Sequence, residues 1–245
     1  FSLQPDEFYP SLESKFEEIF GINFSDAWDE FVSEEKVFQT TNLSLLKNYP
    51  ITETRSLTEK PFGWISQTTY DKINNSLIFG YHRSGELAEI QKFDLNTNKS
   101  TIITTQPSPS LIQVASVAYD ESYRQIFFTT NNNQLYRDVW MYDLNTSKEK
   151  LLFIDMRVGA LTVSQTTHEL WGIQHISGKN VIVRSKYPYT ELQSLSVFKV
   201  GDELQDLSIH PKGNLLAATM HQSDGKQSIF ISDITGLEKG KPFSF

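Results

Sequence analysis

A short phrase recurs in this chain: FDLNTNK at residues 93–99 returns as YDLNTSK at residues 142–148, 49 residues further on. A period of this size constrains the fold strongly. A unit of roughly 20–50 residues is too thin to bury both faces of its own sheet, so it must stack against its neighbours. Extending the alignment gives DKINNSLIFGY, DESYRQIFFTT, SQTTHELWGIQ and HPKGNLLAATM, with apolar centres at Leu77, Ile126, Leu170 and Leu215 spaced by 49, 44 and 45 residues. Each unit reads as four strands. A first strand (GWISQTTYD, VASVAYDE, VGALTVSQ, LQDLSIHP) turns into the apolar second. A third follows (LAEIQKFDL, RDVWMYDL, NVIVRSKY, QSIFISDI), then an outer one (STIITT, EKLLFI, SLSVFK, GKPFSF). Alternating, β-branched and aromatic segments between polar turns are strand signals. Four of them per repeat predict a mainly β chain built as a β-propeller of four four-stranded antiparallel blades. The blades are placed at about 62–105, 111–154, 157–199 and 204–245.

The repeated phrase itself is a turn device. Asp94, Asp143 and Asp233 end third strands, where a carboxylate can accept backbone amides of the following turn. A calcium site needs several converging oxygen ligands, and these turns offer one or two, so the three aspartates are read as structural.

The front of the chain differs. Residues 1–36 hold ten acids against two lysines, which is the whole net charge of −8, and the remaining 209 residues sum to zero. A neutral body with an acidic front lacks the clustered Lys and Arg of a nucleic-acid surface. In SLESKFEEIFG, helical spacing of Leu12, Phe16, Ile19 and Phe20, with Ser11 as cap and Gly21 as stop, predicts a helix. In SDAWDEFVSEE, Ser25 as cap and an inward stripe of Ala27, Trp28 and Phe31 predict a second. The division drawn is a helical segment over 1–36 and the propeller over 37–245. ITETRSLT before blade one reads as an outer strand completing a final blade, so the chain is expected to be part of a larger propeller and a piece of a longer protein.

Several chemistries are poorly served. Zero cysteines remove disulfides and thiolate sites. No apolar run reaches the roughly 18 residues of a membrane span. There is no GxSxG elbow and no Gly-rich phosphate loop. Paired carboxylates facing the axis would have to come from first strands, which offer mainly Ser, Thr, Gln, Val and Ala, with Asp206 the only obvious acid. The nearest approach to HEXXH is HELWGIQH, but His168 and His175 stand seven apart in a strand and loop, with Glu169 on the opposite face. No catalytic residue, metal ligand or cofactor is assigned.

Six residues are left as binding candidates. His82 and His175 fall at equivalent places after their repeat centres, with His221 one residue out of register, all on the rim that also carries the entrances to first strands. Trp64, Arg157 and Gln205 sit at those entrances, near the axial mouth. Trp supplies a large rigid surface and Arg a forked donor, the residue types favoured at binding surfaces.

SLTEKPFGWISQTTYDKINNSLIFGY with FDLNTNKSTIITT, and SIHPKGNLLAATM with ISDITGLEK, resemble the TolB-like, or WD40-like, propeller repeats of bacterial proteins. YDKIN, YDESY and SQTTH depart from that family's turn. The front stretch KFEEIFGINFSDAWDEFVSE is similar to the last helices of gluzincin metallopeptidase-like domains. Together these resemblances imply a bacterial, periplasmic or extracellular, non-catalytic module that binds protein or peptide or gates a neighbouring peptidase-like domain, with another chain or further blades completing the ring. The alternative they imply is an accessory part of a zinc metallopeptidase whose HEXXH domain lies upstream.

Overall fold

A computed structural model describes residues 11–50, 52–58, 63–106, 116–132, 134 and 136–238. The chain divides into two compact units, 1–56 and 57–245.

In the first unit, α1 (Leu12–Phe20) begins at Ser11, whose hydroxyl accepts the Ser14 amide, and stops at Gly21, whose φ of 69° closes the helix onto the Glu17 carbonyl. Helix α2 (Phe24–Leu46) departs from expectation at both ends. Its cap is Asn23, which accepts the Ser25 amide at 2.9 Å, rather than Ser25. Asn caps as well as Ser, and the earlier start sets the Phe24 ring 5.2 Å from Phe16. The helix also continues ten residues past Lys36, so the 36/37 division does not mark where helix ends. Thr40, Thr41 and Ser44 bond back to carbonyls four residues earlier, which satisfies hydroxyls that fall inside a helix. Nor is the Trp28 and Phe31 stripe buried, since these rings stay 57% and 53% exposed. Among the described residues no helix is long and apolar enough to cross a membrane.

The second unit is four antiparallel sheets in propeller order. Blade one holds β1 (Trp64–Ile65), β2 (Thr69–Asp71), β3 (Ser76–His82), β4 (Glu89–Asp94) and β5 (Lys99–Thr105). Its first strand is broken, and β1 and β2 both pair with β3. Between them Ser66 donates its amide to the Gly80 carbonyl while its hydroxyl accepts the Gly80 amide. Blade two is β6 (Val117–Asp120), β7 (Gln125–Asn131), β8 (Arg137–Asp143) and β9 (Lys148–Phe153). Blade three is β10 (Val158–Val163), β11 (Leu170–Ile176), β12 (Lys179–Ser185) and β13 (Gln193–Val197). Blade four shows β14 (Glu203–Ile209), β15 (Leu215–His221) and β16 (Gln227–Asp233), followed by a short helix α3 (Ile234–Glu238) in place of the expected open turn. Its expected outer strand, GKPFSF, lies outside the described residues. Residues 52–58, within the stretch expected to be an outer strand, form no strand.

Register corrects one repeat centre. Asp71 pairs with Ser76 and Asp120 with Gln125, and the His210 amide closes on the Leu215 carbonyl. Leu215 therefore matches Ser76 and Gln125, and it is Leu216, fully buried, that matches Leu77 and Ile126. All four turns between first and second strands hold four residues, so the fourth repeat is one residue longer than its apolar centre implied.

Alternation along each second strand binds the blades to one another. Ile126 and Phe128 face blade one, joining Ile78 and Ile90, while Phe127 between them faces blade three, joining Val158, Leu161 and Leu170. Trp171 and Ile173 continue the pattern against Leu207 and Leu216 of blade four. Each such buried side chain stabilises by roughly 1.5–3 kcal/mol, and because these clusters join residues of neighbouring blades, part of that gain is unavailable to a blade alone. The outer faces of the series differ. Ile229 and Ile231 of blade four remain 74% and 57% exposed. The far face of blade one, with Phe79 and Phe93, borders a cavity of about 140 Å³ also lined by Leu57 and Thr58.

The turn device operates as expected. Asp94 Oδ1 accepts the amides of Asn96 and Thr97, Asp143 Oδ1 those of Asn145 and Thr146, and Asp233 Oδ1 that of Gly236. The amides of Thr97 and Asn96 hold the Asp94 carboxyl below its usual range.

Candidate functional site

First strands of all four blades line an axial channel of about 220 Å³, among them Gln67, Thr69, Tyr119, Thr162, Gln165 and Ser208. Hydroxyl and amide groups dominate this lining. Gln165 is engaged across the blades, donating to the Tyr119 carbonyl at 2.7 Å and accepting the Glu121 amide at 3.0 Å. Asp206, the acid expected nearest the axis, instead borders a smaller cleft of about 90 Å³ that Gln67 and Ile229 also line.

The six rim candidates fall into three pairs, each within one blade. Trp64 is the register partner of His82, with ring centroids 6.5 Å apart, and Trp64 is 65% exposed. Arg157, exposed, accepts the His175 amide on its carbonyl at 3.2 Å and lays its guanidinium 4.1 Å from the centroid of Tyr136. Gln205 reaches His221 Nδ1 at 3.4 Å. Two placements differ from the sequence reading. With Leu216 as the fourth centre, His221 falls in the same repeat position as His82 and His175 rather than one residue away. The first-strand partner of His221 is Glu203, because a bulge between Leu204 and Asp206 displaces Gln205 from the place held by Trp64 and Arg157. Between blades, these three pairs make no hydrogen bond or ion pair with one another. Among the described residues no group of three or more acids and histidines is placed to hold a metal.

Sequence reasoning missed Arg137, at the start of β8. Its carbonyl accepts the Arg157 amide at 3.1 Å, so Arg137, Arg157 and His175 are linked in succession by backbone bonds from blade two into blade three. The guanidinium is partly buried, and that burial lowers its pKa. His175 is also held below its ordinary value, first by partial burial and then by the Arg137 charge, with Glu203 pulling more weakly the other way. A signal existed. The repeat places equivalent to Arg137 hold Ala88 and Gln227, so a cation there is not something the blade requires.

A second missed feature is a tie at the opposite ends of these strands. Asp71 and Asp120, both fully buried, open the turns between first and second strands and accept the amides of Asn74 and Tyr123. Asp71 Oδ2 also meets Arg124 Nη1 at 3.0 Å. Reading DKINNS, DESYRQ and SQTTHE in columns puts an acid in the first place of two turns and a cation or imidazole in the fifth place of the next.

No family model matches the chain, and no curated protein matches it in sequence. Solved structures do. TolB from Acinetobacter baumannii superposes with a TM-score of 0.59 at 15% identity, over 71% of this chain and 42% of that one. A putative TolB from Agrobacterium tumefaciens gives 0.59 at 10% identity, over 74% and 66%. A Mycobacterium tuberculosis puromycin-hydrolysing peptidase gives 0.54 at 10% identity, over 75% of this chain and 29% of that one. The chain is thus a β-propeller with the fold of TolB-like proteins. It spans less than half of the Acinetobacter protein, and at these identities the likeness is one of fold.

Proposed function

We propose that this chain is a non-catalytic propeller module that binds protein or peptide on the rim carrying Trp64, His82, Arg157, His175, Gln205 and His221. The observation that carries this reading is Trp64, a large ring left 65% exposed at the entrance to a first strand, beside His82. Exposed Trp on a rigid strand is the kind of anchor that dominates interfaces. The exposed Ile229 and Ile231 support a propeller whose outer blade faces are covered by further blades or another chain. The test is a peptide array probed with the full chain, followed by Trp64→Ala. Loss of roughly tenfold in affinity, about 1.4 kcal/mol, is expected. Peptides that bind the variant as well as the parent sink the reading.

A second reading, that the chain is an accessory part of a zinc metallopeptidase whose HEXXH domain lies upstream, rests on the resemblance of the KFEEIFG stretch alone; the mycobacterial peptidase shares the propeller fold. An HEXXH helix encoded upstream of Phe1 in the parent gene, with hydrolysis that changes when the propeller is deleted, distinguishes it from a binding scaffold.

A further inference from the structure

We propose that Arg137, with His175 and Arg157 beside it, forms a carboxylate-binding site on the rim between blades two and three, which takes the free C-terminus or an acidic side chain of a bound peptide. The inference rests on the peptide-binding reading above and names its chemistry.

Arg137 is partly buried and, among the described residues, its side chain has no acceptor, no ion pair and no ring contact. A cation drawn partly out of water is stabilised by an anionic partner. Among the described residues neither Asp138 nor Asp155 pairs with it: Asp138 Oδ1 accepts the Asp155 amide at 2.9 Å and an Asn132 amide proton at 3.2 Å, and Asp155 Oδ1 accepts from Asn132 as well. The fold also makes room for the guanidinium. A Cβ at Gly159 would stand 2.4 Å from Arg137 Nη1, so glycine there leaves the slot that the group occupies. Among the described residues His175, exposed, makes no side-chain hydrogen bond and Arg157 meets the face of Tyr136 without an anion.

Three donors without an anion, fixed to one another through backbone bonds at 3.1 and 3.2 Å, are therefore arrayed on one rim. A guanidinium fork matches the two oxygens of a carboxylate. A carboxylate offers two oxygens and one charge to the partly buried guanidinium, and it brings less negative charge than a phosphate dianion would next to Glu203, which acts on His175. Perturbed, unpaired titratable groups on an accessible rim mark functional positions more often than structural ones.

The experiment uses the full chain and three N-acetylated tetrapeptides: one of uncharged side chains with a free C-terminus, the same peptide amidated, and an amidated one with two internal Glu residues. Binding is measured by calorimetry. The free acid is expected to bind roughly tenfold more tightly than its amide, and Arg137→Gln to abolish that difference. Arg83→Gln, on blade one, should leave it intact. Preference for the Glu peptide over the free acid, also lost in Arg137→Gln, assigns the site to acidic side chains. Equal binding of acid, amide and Glu peptide refutes the carboxylate site while leaving a peptide rim in place. Absence of binding by all three refutes both. Inorganic phosphate displacing the free acid more effectively than acetate does would overturn the choice of carboxylate. The acid-against-amide comparison on the unaltered protein needs no variant to fold.

Discussion

The imidazole Nδ1 of His168 lies 2.7 Å from Oδ2 of Asp120, and one blade earlier the same two repeat positions hold Arg124 and Asp71 at 3.0 Å. Each carboxylate caps its own turn with one oxygen and reaches the following blade with the other, so a local device and an interblade tie share one side chain. Tyr123 stacks on the His168 ring at 4.1 Å, and the Tyr189 hydroxyl donates to the His168 carbonyl at 2.8 Å. At the third seam neither charge is present. Ser164 takes the place of the aspartate, and Gly213 comes close to Thr166.

Removing one partner of a fully buried ion pair costs about 3–5 kcal/mol. Arg124 keeps a quarter of its side chain in solvent, so Asp71→Ala should cost less, about 2–3 kcal/mol after allowing for that screening. A double-mutant cycle with Arg124→Ala, followed by chemical denaturation, should return a coupling of about 1–2 kcal/mol. A coupling near zero would show that the contact does not join the blades.

Acid should weaken the same seam. Burial pushes the Asp71 carboxyl upward, but the bonds from Asn74 and Arg124 outweigh it and leave it below its ordinary value. A carboxyl depressed in the folded state binds protons first when unfolded, so its contribution is present above about pH 4 and is lost as pH falls through the folded value. Melting temperature measured from neutral pH downward should fall in that window, and Asp71→Asn should flatten the fall. An unchanged slope in the variant contradicts the assignment.

At the alkaline end Tyr119 is one of two responsible groups. Burial, then the Asp71 charge, pushes its hydroxyl up to about 12, and burial raises the Tyr189 hydroxyl further. A phenol raised in the folded state contributes stability that is complete below about pH 10 and disappears as pH rises through the folded value. Ultraviolet titration of Tyr189→Phe should retain a late phenolate step that the added Tyr119→Phe removes. Persistence of that step in the double variant would place it on another tyrosine.

Gly213 adopts a φ of +70°, and a Cβ there would come within 2.0 Å of Thr166 Oγ1. Gly213→Ala should therefore destabilise by about 1–2 kcal/mol from backbone handedness alone, plus a steric part. Adding Thr166→Ala should recover only the steric part. If the double variant regains full stability, the left-handed turn contributes nothing, and the prediction fails.

The sequence by itself determined what is local and periodic. Alternating residues, four-residue turns and the aspartates of FDLNTNK and YDLNTSK act on the backbone within a few residues, so strands, blade order and turn bonds were all readable without coordinates. Helix α1 was readable for the same reason, since Ser11 and Gly21 act within one turn. Residues 37–46 mix Phe and Leu with β-branched and polar side chains, and the helix capped by Asn23 runs on through them without burying a residue, so that extension is local too. Elsewhere tertiary structure decided. The fourth repeat could be aligned on Leu215 or Leu216, and only pairing across the sheet buries Leu216 and brings His221 into line with His82 and His175. Arg137 was illegible because its meaning is entirely nonlocal: the slot at Gly159, the link through Arg157 and the lack of a counter-charge come from a different blade. Charge compensation depends on distances between segments remote in the chain, and those distances exist only once the blades have stacked.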